Sequence, residues 1–302
     1  MIPNGQSHPD STLLSPLVYG TWRMLDGEPS LQDINRRLNY CVEHGITAID
    51  TAEIYGLYRV EEALGKAMAL SPGLRHKLSL VTKAGIYVPN GRNPQRKVGF
   101  YDASAAQLRR SVEHSLRLLQ CDQVELFLVH RPDWLTGIDD TARGLNELVK
   151  EGKVRRAGVS NYSASQFAAL NSRMDAPLFT NQLEFHLLHM EPMVDGSFDQ
   201  CQQSQARPMA WSPLAGGRLF DLKESAAQRL AQAAADLSSK YGGASLEQLA
   251  YAWVMAHPSR PYPVIGTNRI ERIDSAVKAL SIRLEREDWY ALWVAARGHN
   301  IP

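Results

Sequence analysis

Four side chains in the sequence combine a proton donor with groups that can charge and orient it: Asp50, Tyr55, Lys83 and His130. A free tyrosine has a pKa of about 10, so it is a reluctant acid at neutral pH, and a nearby ammonium favours its phenolate. Lys83 is the candidate for that ammonium, and Asp50 would keep the lysine charged and aimed at the phenol. The histidine can donate a hydrogen bond to a reacting oxygen. This set predicts a site that gives a proton to an oxygen on which negative charge develops.

Each of these residues also has an ordinary structural interpretation. An aspartate or lysine at the end of a strand can form an ion pair or cap a helix, and a histidine after LFLV is often a satisfied core residue. Several such residues on neighbouring strand ends are harder to explain in this way, because each buried charge needs a partner. Their clustering therefore favours a functional site.

Short apolar runs alternate with segments of helical period along the chain. The pattern predicts eight strands, near residues 16–20, 46–50, 78–83, 124–129, 154–159, 178–182, 207–211 and 262–265. Parallel neighbours need helical crossovers, so this alternation indicates a parallel sheet. Eight units favour an α/β fold of the closed (β/α)₈ TIM-barrel type, with residues 1–302 as one domain. The G-x-G-x-x-G fingerprint of an open doubly wound sheet is absent from the sequence.

Helix starts are marked by a serine with an acidic or amide residue three places on, the pattern of a capping box. Four pairs fit: Ser30/Asp33, Ser104/Gln107, Ser163/Gln166 and Ser245/Gln248. Two long loops are predicted, at 87–103 and 213–224. Because the carboxyl ends of barrel strands converge on one mouth, we expect the residues of the proton-transfer site to meet there.

Bulk properties exclude several other classes of protein. The 302 residues carry a net charge of +1, which gives no broad footprint for nucleic acid or an acidic membrane. The three cysteines lack the spacing of a disulfide framework or a zinc site, and no His/Cys cluster suggests any metal. No apolar run approaches the length of a membrane span. We expect a cytoplasmic protein that acts on a small molecule; its oligomeric state is left open.

Seven segments carry a resemblance to a known family: HGITAIDTAEIYG, LVTKAG, LFLVHRPD, GKVRRAGVSNYS, NQLEF, WSPL and VIGTNRIERI, between residues 44 and 273. The chain resembles the bacterial NADPH-dependent oxidoreductases of the aldo-keto reductase superfamily. The resemblance implies reduction of aldehydes and ketones to alcohols by direct hydride transfer. Tyr55 would be the general acid, in a tetrad with Asp50, Lys83 and His130. Two alternatives are an NADPH-binding, redox-sensing regulatory subunit with little turnover, and a barrel hydrolase or lyase that binds no nicotinamide.

The resemblance also implies where NADPH (or NADP⁺) binds. A carboxamide needs a donor and an acceptor in fixed geometry, and an indole offers a flat face for stacking. The residues placed at the nicotinamide are Ser160, Asn161, Gln182 and Trp211, with Ser212 following. The loop residues matched to the part of the family that covers the pyrophosphate are Leu214, Gly216 and Arg218.

The eighth strand runs into the start of a helix, whose free N–H groups and dipole favour a phosphate. The residues around it are Gly266, Thr267, Asn268, Arg269 and Arg272. Two arginines there suit a 2′-phosphate and favour NADPH over NADH, although arginines on the solvated face of a helix are the ordinary alternative.

Two features depart from the family pattern. Many relatives have an asparagine that contacts adenine four places after the residue matched to Arg272, where this chain has Ala276. The spacing before Glu61 and Glu62 is also unusual, so which glutamate reaches the adenosine end or caps the helix is left open. For the substrate pocket we expect aromatic walls from Trp22, Tyr87 and Trp134 beside Tyr55, with Phe100 as a further candidate. Such walls suit small aldehydes, ketones or dicarbonyls, whereas ordinary loop packing is the alternative.

Overall fold

Eight parallel strands close into a barrel in the computed structural model, which describes residues 13–90 and 95–301. The strands in chain order are β1 (Val18–Gly20), β2 (Ala48–Asp50), β3 (Ser79–Ala84), β4 (Ile86–Tyr87), β5 (Phe100–Tyr101), β6 (Val124–Val129), β7 (Val154–Ser160), β8 (Asn181–Glu184), β9 (Met209–Trp211) and β10 (Tyr262–Ile265). Around the barrel the order is β1, β2, β3, β6, β7, β8, β9 and β10, which pairs again with β1. The predicted single-domain (β/α)₈ barrel is confirmed.

Helices pack around this barrel and supply the crossovers that parallel strands require. They are α1 (Leu31–Glu43), α2 (Tyr55–Tyr58), α3 (Val60–Ala69), α4 (Ala105–Leu119), α5 (Ile138–Lys150), α6 (Ala164–Asn171), α7 (Ser197–Gln203), α8 (Ser225–Ser238), α9 (Leu246–Met255), α10 (Ile270–Ala279) and α11 (Arg286–Arg297). Within the described ranges, no helix is long and apolar enough to cross a membrane.

Three of the four predicted capping boxes are complete. Ser30, Ser163 and Ser245 each accept from the backbone N–H three residues on, and the side chain at that position reciprocates. Ser104 accepts from the backbone N–H of Gln107, but the Ser104 backbone N–H donates to Asp102 at 3.0 Å and the Gln107 amide oxygen accepts from Arg110 at 3.0 Å, while the amide nitrogen donates to the Tyr87 hydroxyl at 2.9 Å. The fourth box is therefore wrong, because both groups that would close it have other partners.

Strand alternation divides the core into an inner and an outer layer. The inner layer includes Val18, Ala48, Val81 and Leu126, from four adjacent strands. Residues that alternate with these point outward and pack beneath the helices. The helices lie close together as well: a Cβ at Gly65 on α3 would lie 2.0 Å from the Leu118 carbonyl oxygen of α4, so only glycine fits.

One strand and the two long loops differ from the sequence prediction. The sixth barrel strand begins at Asn181 and ends at Glu184, whereas it was expected near 178–182. The first long loop contains the antiparallel hairpin of β4 and β5, in which Tyr87 pairs with Phe100. The second contains a 3₁₀ helix, Ala215–Phe220, with Gly216 and Gly217 at positive φ. Both loops are held by contacts that local sequence preference does not encode.

Candidate active site

Strand alternation places Asp50 and Lys83 on the inner face of the barrel at its carboxyl end. Asp50 is two residues beyond Ala48, and Lys83 two beyond Val81; both Ala48 and Val81 belong to the inner layer. The Lys83 ammonium is fully buried and lies 2.8 Å from an Asp50 carboxylate oxygen. A buried charge at this position is stable only when it is paired and hydrogen-bonded.

The Lys83 ammonium has three donors, and each finds an acceptor. Besides Asp50, it donates to the Thr51 carbonyl oxygen at 2.8 Å and to the Tyr55 phenol oxygen at 3.0 Å. Tyr55 opens α2, a single turn in which Gly56 and Leu57 have positive φ. This turn lies directly after β2, so the phenol returns over the end of the strand that carries Asp50.

Burial sets the protonation states of this pair. Burial raises the pKa of Tyr55 above its ordinary value of 10.0, and the opposing attraction of Lys83 does not offset it. Burial lowers the pKa of Lys83, but Asp50 and Tyr55 outweigh that effect and raise it. At neutral pH the pair is a phenol beside an ammonium.

His130 follows β6 and faces Tyr55 edge-on, with the ring centroids 5.9 Å apart. Burial, with the charges of Lys83 and Arg131, lowers the pKa of His130 well below its ordinary 6.5, so the imidazole is neutral. Its Nδ1 is buried and has no hydrogen-bond partner among the described residues. A buried ring nitrogen without a partner is uncommon and marks a position where a ligand is expected to contribute.

Amide and indole side chains continue the site around the mouth. Asn161 accepts from the Trp211 indole N–H at 3.0 Å and donates to the Ser160 hydroxyl at 2.7 Å. Gln182 donates to the second Asp50 carboxylate oxygen at 2.8 Å. Asn161 has a φ of 59°, a left-handed conformation that asparagine tolerates. These bonds fix the indole plane and connect it to the charged pair.

One cavity of about 430 Å³ brings most of the expected residues together at the mouth. Lys83 lies beneath it, held by two residues of its lining, Asp50 and Tyr55. The other expected residues that line the cavity are Trp22, His130, Ser160, Asn161, Gln182, Trp211, Ser212, Leu214, Gly216, Gly266, Thr267 and Arg272.

Three expected cofactor residues lie outside this cavity. Arg218 forms a two-bond ion pair with Glu224, at 2.9 and 3.0 Å. Asn268 donates to the Arg23 carbonyl oxygen at 2.7 Å, and Arg269 lies 3.7 Å from Glu271. Their side chains therefore face solvent or neighbouring loops in this structure.

Neither candidate glutamate lies at the cavity. Glu61 is buried beneath α4 and accepts from the hydroxyls of Thr82 at 2.5 Å and Ser115 at 2.9 Å. Glu62 is exposed and pairs with Lys66 at 2.7 Å. Ala276, where relatives have asparagine, is fully buried in the core. Neither glutamate reaches the cavity in this structure, because Glu61 packs inward and Glu62 pairs with Lys66 on the outside.

The expected aromatic wall is divided between two hollows. Trp22 lies edge-on to Tyr55, with centroids 5.0 Å apart. Tyr87, Phe100 and Trp134 instead line a second hollow of about 510 Å³ beside the hairpin. The Tyr87 hydroxyl is engaged by Ser111 at 3.0 Å, and Trp134 is 80% exposed. The prediction that these residues share one wall with Trp22 is wrong: Tyr87 and Phe100 belong to the hairpin, and Trp134, in the loop after β6, lies against it.

Nine residues of the cavity lining were missed by sequence reasoning, and four of them have polar side chains: Arg23, Arg131, Glu247 and Tyr251. Arg131 was within reach, because it directly follows His130 in HRPD. Glu247 and Tyr251 share one face of α9, four residues apart, but they precede the last strand, so the strand-end rule does not find them.

The cavity lining contains the kinds of group that can hold a nicotinamide dinucleotide. The end at Tyr55 has the Asn161 and Gln182 amides and the Trp211 ring. Its other end contains Arg272 beside the N-terminus of α10, a ten-residue helix without a side-chain cap. Free N–H groups at such a terminus favour phosphate. Within the described residues, no group of three His, Cys, Asp or Glu side chains is arranged to hold a metal.

Comparisons with known proteins agree with this geometry. Residues 16–294 match the Aldo/keto reductase family model. A 6-dehydroglucose reductase of Agrobacterium fabrum is 40% identical over 293 residues, which cover 97% of this chain and 97% of that protein. The uncharacterized oxidoreductase YcsN of Bacillus subtilis is 38% identical over 288 residues, which cover 95% and 96%.

A solved structure gives the same result. An aldo/keto reductase from Klebsiella pneumoniae in complex with NADP and acetate has a TM-score of 0.76 at 30% identity, and the match covers 95% of this chain and 92% of that one. The protein is therefore an oxidoreductase, and its chain belongs to the aldo/keto reductase family.

Proposed function

We propose that the protein reduces aldehydes and ketones to alcohols with NADPH, and that Tyr55 protonates the carbonyl oxygen. The observation that carries the proposal is the hydrogen-bonded unit of Tyr55, Lys83 and Asp50 at one end of the cavity. A carbonyl that is reduced develops negative charge on its oxygen and needs a proton donor within hydrogen-bond reach. Tyr55 lines the cavity and is protonated at neutral pH, so it meets both conditions.

Lys83 makes the phenol a better acid during turnover. As Tyr55 loses its proton, the ammonium 3.0 Å away stabilises the phenolate in a site with little water. Asp50 and the Thr51 carbonyl hold the ammonium in place, so no reorganisation is needed when charge develops. Lys83 and Asp50 therefore act on the reaction through Tyr55.

His130 orients the substrate in this proposal. Its imidazole is neutral, so one ring nitrogen carries a proton that can be donated to the carbonyl oxygen. A neutral imidazole keeps its proton more firmly than an imidazolium does, which leaves Tyr55 as the acid. The two rings lie edge-on to each other and line the same cavity.

The remaining cavity residues fit NADPH. Asn161 and Gln182 would hold the carboxamide, and Trp211 would stack on the nicotinamide ring. Arg272 and the α10 N-terminus would hold phosphate at the other end. When bound, NADPH supplies the hydride that the carbonyl carbon accepts.

Tyr55→Phe tests the proposal directly. The purified protein should consume NADPH in the presence of 4-nitrobenzaldehyde, and the variant should lose turnover while still quenching NADPH fluorescence. Tyr290→Phe is the matched control, because Tyr290 is on α11 and does not line the cavity. Full turnover by Tyr55→Phe would overturn the role of the tyrosine. Tight NADPH binding without turnover on any carbonyl would instead favour a redox-sensing subunit.

A further inference from the structure

Arg131 adds a positive charge to the catalytic end of the cavity. It follows His130 directly after β6, and it lines the same cavity as Tyr55 and His130. At the phenol its guanidinium charge weakly opposes the rise in pKa that burial causes, and at the imidazole it adds to the lowering of the pKa by burial and Lys83, so its charge reaches both groups. The side chain is half-buried, which means that its charge is partly removed from water.

Two candidate ion-pair partners of Arg131, the Asp133 and Asp50 carboxylates, are already hydrogen-bonded to other groups. Asp133, two residues on, accepts from the backbone N–H of Ala103 at 2.9 Å, from that of Leu135 at 2.9 Å and from the Thr136 hydroxyl at 2.5 Å. Asp50 gives one carboxylate oxygen to Lys83 and the other to Gln182. In the part of the chain that the structure describes, these carboxylates leave Arg131 without an ion-pair partner.

The charges at this end of the cavity therefore do not cancel. Asp50 balances Lys83 at 2.8 Å, whereas neither Arg131 nor Arg23, which also lines the cavity, forms an ion pair among the described residues. Glu247, the other acid of the lining, acts with Arg272 on the Tyr251 phenol of α9, toward the helix end of the cavity. A partly desolvated cation is stabilised by an anion, and a guanidinium binds a carboxylate through two parallel bonds.

We propose that Arg131 recognises a negatively charged group on the substrate, and that the preferred substrates are anionic carbonyl compounds, namely aldehydes or ketones that also carry a carboxylate. The anion is a second group, separate from the carbonyl oxygen that Tyr55 protonates. The anionic group itself takes no part in the reaction. In the reduction, the carbonyl carbon gains a hydride from NADPH to form a C–H bond, and the carbonyl oxygen gains a proton from Tyr55 to form an O–H bond. This inference names the substrate class of the proposed function and rests on it.

Matched pairs of substrates test the inference. The substrates are 4-oxobutanoate and 4-carboxybenzaldehyde, each compared with its neutral methyl ester, and glyceraldehyde as a neutral hydroxylated aldehyde. The natural protein should have a higher kcat/KM for each acid than for its ester. Arg131→Gln should lower the acid-to-ester ratio at least about tenfold, the size of a lost charge-assisted bond. Arg131→Lys keeps the charge and should retain part of the preference.

Arg283→Gln is the control, because Arg283 is an exposed arginine that does not line the cavity and bonds only to nearby carbonyl oxygens. It should leave the acid-to-ester ratio unchanged. An equal loss for acid and ester in Arg131→Gln would overturn the inference, since Arg131 would then act only on the electrostatics of Tyr55 and His130. An equal loss for glyceraldehyde and 4-oxobutanoate would also overturn it, in favour of hydroxyl recognition.

A binding measurement separates this inference from the proposed function. Calorimetric titration with 4-(hydroxymethyl)benzoate and with its methyl ester needs no turnover. The acid should bind the natural protein more tightly than the ester does, and Arg131→Gln should remove that difference. If this difference is found without any turnover, carbonyl reduction fails and anion recognition stands. If turnover is found and the difference is absent, anion recognition fails and carbonyl reduction stands.

Discussion

The Lys83 ammonium donates to the Tyr55 phenol oxygen at 3.0 Å, and in the same position it is paired with Asp50 at 2.8 Å. The two bonds have different consequences. The bond to Tyr55 affects how readily the phenol gives up its proton, whereas the pair with Asp50 makes a fully buried ammonium tolerable. Under the proposed function, activity and stability should therefore depend on the same lysine through different partners.

Replacing Lys83 by methionine should separate the two effects. The variant should lose about 10²- to 10⁴-fold in kcat, because the Tyr55 pKa rises further when the ammonium is removed. It should also lose roughly 3–5 kcal/mol of stability, because the buried Asp50 carboxylate is left unpaired. Carbonyl turnover and urea unfolding measure the two losses.

The double variant Asp50→Asn/Lys83→Met is the control for Lys83→Met. It removes both charges, so it should regain most of the stability while remaining inactive. Recovery of activity in the double variant would contradict the proposed role of the lysine. Equal stability of the single and double variants would show that the pair is not what stabilises Asp50.

Arg272 should decide the preference for NADPH over NADH. It lines the cavity beside the N-terminus of α10, and no ion pair to an acidic side chain within the described ranges involves it. Arg272→Gln should raise the Kd for NADPH about tenfold or more, with a much smaller change for NADH, because only NADPH carries the 2′-phosphate. Fluorescence titration with both cofactors measures the difference.

Arg269→Gln is the matched comparison for the cofactor experiment. Arg269 is three residues earlier but lies outside the cavity, beside Glu271. Its replacement should have the smaller effect on the NADPH Kd. A larger effect at Arg269 than at Arg272 would show that the loop reorganises around the cofactor and that the present geometry does not identify the phosphate ligand.

The contrast between these arginines shows how far sequence reasoning reaches. Strand ends are readable because apolar alternation is local, and this rule found Asp50, Lys83 and His130. It cannot distinguish Arg272 from Arg269, since their directions depend on where α10 begins. Nor can it predict that the Gln107 amide turns to Tyr87, or that burial outweighs Lys83 at the phenol. Those outcomes depend on tertiary packing, which residue spacing does not encode.

Glu61 should make stability depend on pH. Burial raises its pKa from 4.5 to about 7, although the hydroxyls of Thr82 and Ser115 oppose that shift. The folded protein thus binds the proton more tightly than the unfolded chain does. The contribution of this carboxyl to stability is complete below about pH 4.5 and falls as pH rises through about 7.

Replacing Glu61 by glutamine removes the titration while keeping the shape of the side chain. The stability of Glu61→Gln relative to the natural protein should therefore increase between about pH 4.5 and 7, by roughly 3 kcal/mol in all, and then level off. Urea unfolding of both proteins across this pH range measures the difference in unfolding free energy. The contributions of other titrating groups cancel, because both proteins have them. A difference that is constant with pH would contradict the raised pKa. Glu62→Gln, at the neighbouring position, which is not buried, should not show an increase of this size.

Trp253 and Trp289 should attach the last helix to the barrel. The indole N–H of each donates to the backbone carbonyl of the other, at 3.1 and 3.0 Å, and the rings stack with centroids 4.8 Å apart. Trp289→Phe keeps a stacked ring but leaves the Trp253 carbonyl without its donor. The free energy of unfolding, measured by urea denaturation, should therefore fall by about 1–3 kcal/mol. Trp134→Phe, at a position 80% exposed, should cost much less. Equal losses in the two variants would mean that the reciprocal bonds do not stabilise the packing of α11 on α9.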